Sequence, residues 1–244
     1  MSPHSYIINS VISRVSPNIV WVLCSDGRIW RIDWTNGDGT SEYFQIRSQE
    51  AFDMTVIDVR FGKEARDIIL VTEKASTASS QIVAYDLTSP DGPISKELQT
   101  HQGNLTLIKS TDGGRALISV VFSTILVGSL KSKEHRTLED LEYDFFSFES
   151  GDQISCVSVR QHHSRKQQPK RKQMIEATGP VLDVAVGCAR GAIFVYADLL
   201  ARLQSVEGSL SGNSSIQPRK YHWHRRAVHS VAWSEDGEEV WATW

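Results

Sequence analysis

Residues 219–244 read RKYHWHRRAVHSVAWSEDGEEVWATW. In AVHSVAWS (227–234) the side chains alternate, with Val231 and Trp233 on one face and the small Ser230 and Ala232 on the other, the period-two pattern of a strand with one buried side. Glu235-Asp236-Gly237 supplies a hairpin turn, and EEVWATW (238–244) a second strand. The stretch before it, RKYHWHRR, alternates too, placing Tyr221 and Trp223 opposite His222 and His224 as an outer strand would. The whole reads as the junction between two consecutive β-units.

Working outward, similar β-branched runs bounded by turn residues recur as NIVWVLC (18–24), DIILVT (67–72), ALISVVF (116–122), VLDVAVG (181–187) and EVWATW (239–244). Successive starts are separated by 49, 49, 65 and 58 residues. A recurrence of about 40–50 residues with four strands per unit indicates a β-propeller rather than a sandwich, with insertions where the interval lengthens. After each of three of these runs comes a turn and a second strand: SDGRIWRIDW (25–34), SSQIVAYDL (79–87) and ARGAIFVYADL (189–199). The longest apolar run, 116–128, is shorter than the roughly 20 residues a spanning helix needs and is rich in β-branched residues, so it reads as two strands.

In a WD-repeat the second of these strands ends in Trp-Asp. The equivalent pairs here are Ile32-Asp33, Tyr85-Asp86 and Tyr196-Ala197, and His224 matches the His of the Gly-His element that precedes an inner strand. Asp26, Asp33, Tyr85, Asp86, Tyr196, His224 and Asp236 are therefore the structural WD-repeat positions. The expectation is an all-β, incomplete WD-repeat β-propeller of about four and a half blades in an open arc, with 18–24, 67–72, 116–122 and 181–187 as interior strands. Residues 1–244 form one partial propeller truncated at both ends, with 161–178 a basic insertion loop within it. Open ends would expose apolar blade faces and make the isolated chain behave poorly in solution.

WVLCSDGRIWRIDW, ISCVSVR with its basic insertion, GAIFVYADLLARL and above all RKYHWHRRAVHSVAWSEDG resemble the Nan-one branch of WD-repeat proteins, subunits of the t-UTP (UtpA) subcomplex of the small-subunit processome. The resemblance is densest over 18–34 and 180–240. It implies a nucleolar, nuclear scaffold that supports pre-rRNA transcription and early 18S rRNA processing. Its partners would be other t-UTP subunits and processome proteins, with the 5′ external transcribed spacer of pre-rRNA as a further candidate. The resemblance also places this chain inside the first propeller of a longer protein. A WD-repeat interaction module of an unrelated complex is the alternative.

The chain is 40% hydrophobic and 23% charged, with a net charge of −3, a balance that fits a globular protein and excludes bulk electrostatic coating of nucleic acid. Cys24, Cys156 and Cys188 lie in strand-like runs without CxxC spacing, which argues against a disulfide framework or a zinc site and fits a reducing compartment. The N-terminus lacks the charged and apolar regions of a signal peptide. The sequons at Asn104 and Asn213 are read as chance matches.

HHSRKQQPKRK (162–172) gathers Arg165, Lys166, Lys170, Arg171 and Lys172. It is read as a solvated loop, as phosphate contacts to RNA, or as an import signal. Arg225 and Arg226 join the RNA candidates, because RKYHWHRR could stack bases and hold phosphates, although the outer-strand reading is preferred. His222 and His224 lack a third ligand at suitable spacing, so no metal is assigned. Asp198 is expected to cap a short helix whose stripe is Leu199, Leu200, Leu203 and Val206, with Gly208 at its end. No GxSxG, Walker, GxGxxG or HExxH motif is present. The expectation is no catalysis, no cofactor, no small-molecule substrate and no membrane partner.

Overall fold

A computed structural model describes residues 5–131, 137–163, 180–202, 216–222, 224–234 and 236–244. The chain divides into two compact units, Met1–Glu149 and Ser150–Trp244.

The first unit contains three four-stranded antiparallel sheets, each built from strands consecutive in sequence. The first sheet holds β1 (Ile7–Ile12), β2 (Ile19–Cys24), β3 (Arg28–Asp33) and β4 (Thr40–Gln45). The second holds β5 (Ala51–Phe61), β6 (Glu64–Lys74), β7 (Ser79–Asp86) and β8 (Ile94–Gln102). The third holds β9 (Leu107–Ser110), β10 (Ala116–Val121), β11 (Thr124–Leu130) and β12 (Tyr143–Glu149). In every case the β-branched run seen in the sequence is the second strand, hydrogen-bonded on both edges. That position explains its composition, since a central strand covered on both faces tolerates no alternation with polar residues.

The second sheet shows how the two faces are used. Ile69 and Val71 of β6, with Val83 and Tyr85 of β7, pack against Trp21, Leu23 and Ile29 of the first sheet. Ile68, Leu70, Ile82 and Ala84 point the other way, into a cluster with Ile108, Leu117 and Leu126 of the third sheet. Trp21, Leu23, Ile69, Val71 and Leu70 are all buried, and each such side chain contributes about 1.5–3 kcal/mol of burial free energy. The first sheet's other face carries Ile7, Ile12 and Tyr43, which are 60%, 61% and 55% exposed, so that face is apolar and wet.

The second unit contains one four-stranded sheet, β13 (Ile154–His163), β14 (Pro180–Cys188), β15 (Ala192–Tyr196) and β16 (Arg219–His222), and a hairpin of β17 (Ser230–Trp233) and β18 (Val240–Thr243). Val231 and Trp233 do face one way, joining Ala185, Ile193, Val228 and Trp244 in one cluster. RKYH forms the outer strand, paired with β15 through Phe194↔Lys220 and Ile193↔Tyr221.

Residues 199–202 begin a helix, but Asp198 does not take the capping geometry expected of it. Its φ is +50, whereas an N-cap residue is extended, and its backbone N–H donates to Asp183 Oδ1 at 2.9 Å. Leu203, Val206 and Gly208 lie outside the described residues. Among the described residues, no helix is long and apolar enough to cross a membrane. Cys24 and Cys188 are buried free thiols, and Cys156 is half-buried and free.

Candidate functional site

Two of the Trp-Asp equivalents end their strands in the same way. Asp33 closes β3 by accepting from the Thr35 backbone N–H at 2.8 Å and from its hydroxyl, and it pairs with Arg31 at 2.7 Å. The Thr35 hydroxyl, then its N–H, hold the Asp33 carboxyl below the usual range. Asp86 closes β7 through the Thr88 N–H at 3.1 Å and hydroxyl at 3.3 Å, with Arg66 at 3.1 Å. A recurring Asp-x-Thr is therefore the turn signal, with Asp86 1% exposed. Asp86→Ala is expected to destabilise the first unit by about 2 kcal/mol, because the turn amide and Arg66 lose a buried acceptor. Urea unfolding checks this, and a loss below about 0.5 kcal/mol would show that water replaces the carboxylate.

Tyr85, in the place of the WD-repeat Trp, is an anchor with a polar end. Its hydroxyl donates to Glu73 Oε1 at 3.1 Å and accepts from the Arg47 backbone N–H at 3.2 Å. Burial pushes its phenol far above the usual range. Glu73 is fully buried and also accepts from Gln81 Nε2 at 3.0 Å and the Ser48 N–H at 3.2 Å. The link between the first and second sheets is thus pinned to β6 and β7 by one carboxylate. Nothing local in the sequence marks Glu73.

Two more acids staple sheets together in this unit. Asp67 accepts from Trp21 Nε1 at 2.9 Å and from the Arg14 N–H at 3.0 Å, joining β6 to the turn between β1 and β2. Asp53, on β5, accepts from Asn9 Nδ2, from its neighbour Met54 N–H at 2.9 Å and from the Ile108 N–H at 3.0 Å, with Lys109 Nζ at 4.0 Å. The first strands of all three sheets meet there.

Burial, partly offset by Lys109 and the Ile108 amide, raises the Asp53 carboxyl above its ordinary range. A raised folded pKa means that its stabilising contribution is complete below the ordinary carboxylate pKa of about 4 and fades as pH climbs through the raised value. Against Asp53→Asn, the native chain is therefore expected to lose relative stability as pH rises from about 4 toward 7. Parallel unfolding midpoints for the two proteins across that range would contradict it.

In the second unit, His224, Arg225 and Arg226 lie in the linker between β16 and β17, and all three are exposed. His224 Nδ1 accepts the Arg226 N–H at 3.2 Å, and its ring lies 5.8 Å from that of Trp244. The linker rests on the turn between β14 and β15, where a Cβ on Gly191 would stand 1.9 Å from the His224 carbonyl oxygen. His222 Nε2 lies 3.1 Å from the Arg190 carbonyl oxygen in the same turn. Both histidines are thus engaged with local backbone. Among the described residues, no group of three or more His, Cys, Asp or Glu is placed to hold a metal.

Asp236 accepts from the Ser234 hydroxyl at 2.6 Å and the Glu238 N–H at 3.1 Å, and the hydroxyl bond lowers its carboxyl pKa. Asp26 plays the same part between β2 and β3, accepting from the Arg28 N–H at 3.3 Å and pairing with its guanidinium at 2.9 Å. Tyr196 is 1% exposed, and burial first, then Cys188, push its phenol up to about 12. Arg165, Lys166, Lys170, Arg171 and Lys172 lie outside the described residues, as does most of the insertion at 161–178. Arg225 and Arg226 are the two RNA candidates that the structure places.

No family profile matches the sequence, and no curated protein matches it. Solved structures do match, 357 chains in all. Among them is the crystal structure of Sqt1 from Chaetomium thermophilum, 14% identical, with a TM-score of 0.56 over 96% of this chain and 52% of that one. This chain therefore spans about half the length of the structure it matches. At that identity the likeness establishes the fold. The sheets are blades of a WD-repeat propeller, four complete and two strands of a fifth among the described residues.

Proposed function

We propose that the chain belongs to a non-catalytic scaffold subunit of the t-UTP (UtpA) subcomplex of the small-subunit processome, acting in the nucleolus in pre-rRNA transcription and early 18S rRNA processing. One observation carries this reading beyond the fold. Within the segment most specific in the family resemblance, 219–237, the outer strand Arg219–His222 and the linker residues Arg225 and Arg226 face solvent, while Val228, Val231 and Trp233 pack into the core. Residues that do not serve packing are available to partners. The partners are other t-UTP subunits and processome proteins. The 5′ external transcribed spacer of pre-rRNA is a further contact, through the basic insertion.

Purification of the tagged full-length protein from cells, with its companions identified by mass spectrometry, tests the reading. Recovery of t-UTP subunits is expected. Recovery of a different, stable assembly would overturn it in favour of a WD-repeat interaction module of an unrelated complex, which the breadth of the fold supports equally.

A further inference from the structure

The fourth blade ends in an edge unlike the others. Its outer strand β16 is Arg-Lys-Tyr-His, with all four residues exposed. The outer strands of the first three blades each carry acids: Glu42 in β4, Glu97 in β8, and Asp144 and Glu149 in β12. Between Glu207 and Glu235 the sequence contains no Asp or Glu at all. The charge continues past the strand into Arg225 and Arg226, and from there to Arg190, whose side chain is 86% exposed and reaches Asp152 only at 3.8 Å. Arg190 stands in the turn between the second and third strands of its blade, the position that Asp26 fills in the first blade, so a basic residue replaces an acidic one there.

A lone lysine on an edge strand is a common guard against aggregation. A run of one sign that passes from strand to linker to neighbouring turn is larger than such a guard requires. Among the described residues no strand pairs with the outer side of β16, so its backbone donors and acceptors on that side face outward.

We propose that the outer edge of β16 accepts an extended acidic segment of a partner protein as a fifth strand, with Arg190, Arg225 and Arg226 holding its carboxylates. The ladder supplies register and the arginines supply selectivity. Single-stranded nucleic acid fits this surface less well, because it needs several aromatic faces on which successive bases stack, and β16 offers Tyr221 alone. Phe194 is already covered by Lys220 at 5.5 Å, and His224 already lies against Trp244. The inference is independent of which assembly the protein serves.

The test is fluorescence anisotropy of the 244-residue chain with a labelled peptide of about ten residues, alternating Glu and Val. A Gln-Val peptide and a single-stranded oligouridylate of similar length serve as comparisons. The Glu-Val peptide should bind at least about tenfold more tightly than either. Methylating the backbone nitrogens along one edge of the peptide should remove binding, while methylation along the other edge leaves it intact. The double variant R225E/R226E should weaken binding about tenfold with an unchanged melting curve, since both side chains are exposed. Failure of the acidic peptide to bind, equal binding after methylation of either edge, or preference for the oligouridylate would each overturn the proposal.

Discussion

Replacing Glu73 with alanine is expected to destabilise the first unit by about 3–5 kcal/mol, a large share of the stability of any single domain. The carboxylate is fully buried and receives the Tyr85 hydroxyl, the Gln81 amide and the Ser48 N–H. Its removal strands three donors, the Tyr85 hydroxyl fully buried and the other two partly so, and each orphaned group costs about 1–3 kcal/mol. Tyr85→Phe removes a single hydroxyl and is expected to cost only about 1 kcal/mol. The two losses should fall short of additive in the double variant, because the tyrosine has no acceptor to miss once Glu73 is gone. Urea denaturation of the four proteins measures all of this. A loss below about 1 kcal/mol for Glu73→Ala would mean that water enters freely and the carboxylate pins nothing.

Gly191→Val is expected to be comparably severe for the second unit. The residue has φ +81, which a β-branched side chain adopts poorly. The new Cβ would also stand 1.9 Å from the His224 carbonyl oxygen and 2.7 Å from that of Arg226, so the linker must lift off the turn. Backbone strain and the lost contact together should cost about 3 kcal/mol or more. Gly62 separates the two causes. Its φ is +66, yet a Cβ there meets nothing within 4 Å. Gly62→Ala should therefore cost only the conformational part, about 1 kcal/mol. Thermal unfolding that ranked the two substitutions equally would show that contact with the linker contributes nothing.

The central strands were legible because burial on both faces leaves a composition that no surface strand shares: β2, β6, β10 and β14 all coincide with the β-branched runs. The outer strands β4 and β8 carry no such run, since none of their residues is buried. Asp33 and Asp86 stood out through their position at strand ends, and the threonine two residues on completes a local signal. Asp53, Asp67 and Glu73 were invisible for a physical reason. An acid within a strand reads as a surface residue until its donors are known. Those of Asp53 and Asp67 include Asn9 and Trp21, 44 and 46 residues away in sequence. The basic linker was legible as charge, but its seat on the turn at Gly191 depends on a close approach that only coordinates reveal.

These staples also explain why a chain with so degenerate a Trp-Asp series keeps the blade geometry. Tyr85 with Glu73 anchors the second blade, and Trp21 with Asp67 fastens the first blade to it. Core alternation sets which face is buried, and the buried acids set how neighbouring blades align within the first unit. The surface is left to the outer strands and turns, where partner recognition belongs.

Hydrogen exchange followed by mass spectrometry with overlapping peptides tests the blade architecture most directly. The slowest amides should fall in four separate pairs of segments, β2 with β3, β6 with β7, β10 with β11 and β14 with β15, while β4, β8, β12 and β16 exchange faster along their outer edges. Protection concentrated in one continuous region, or fast exchange throughout 67–72 and 181–187, would contradict an organisation in repeated four-stranded blades.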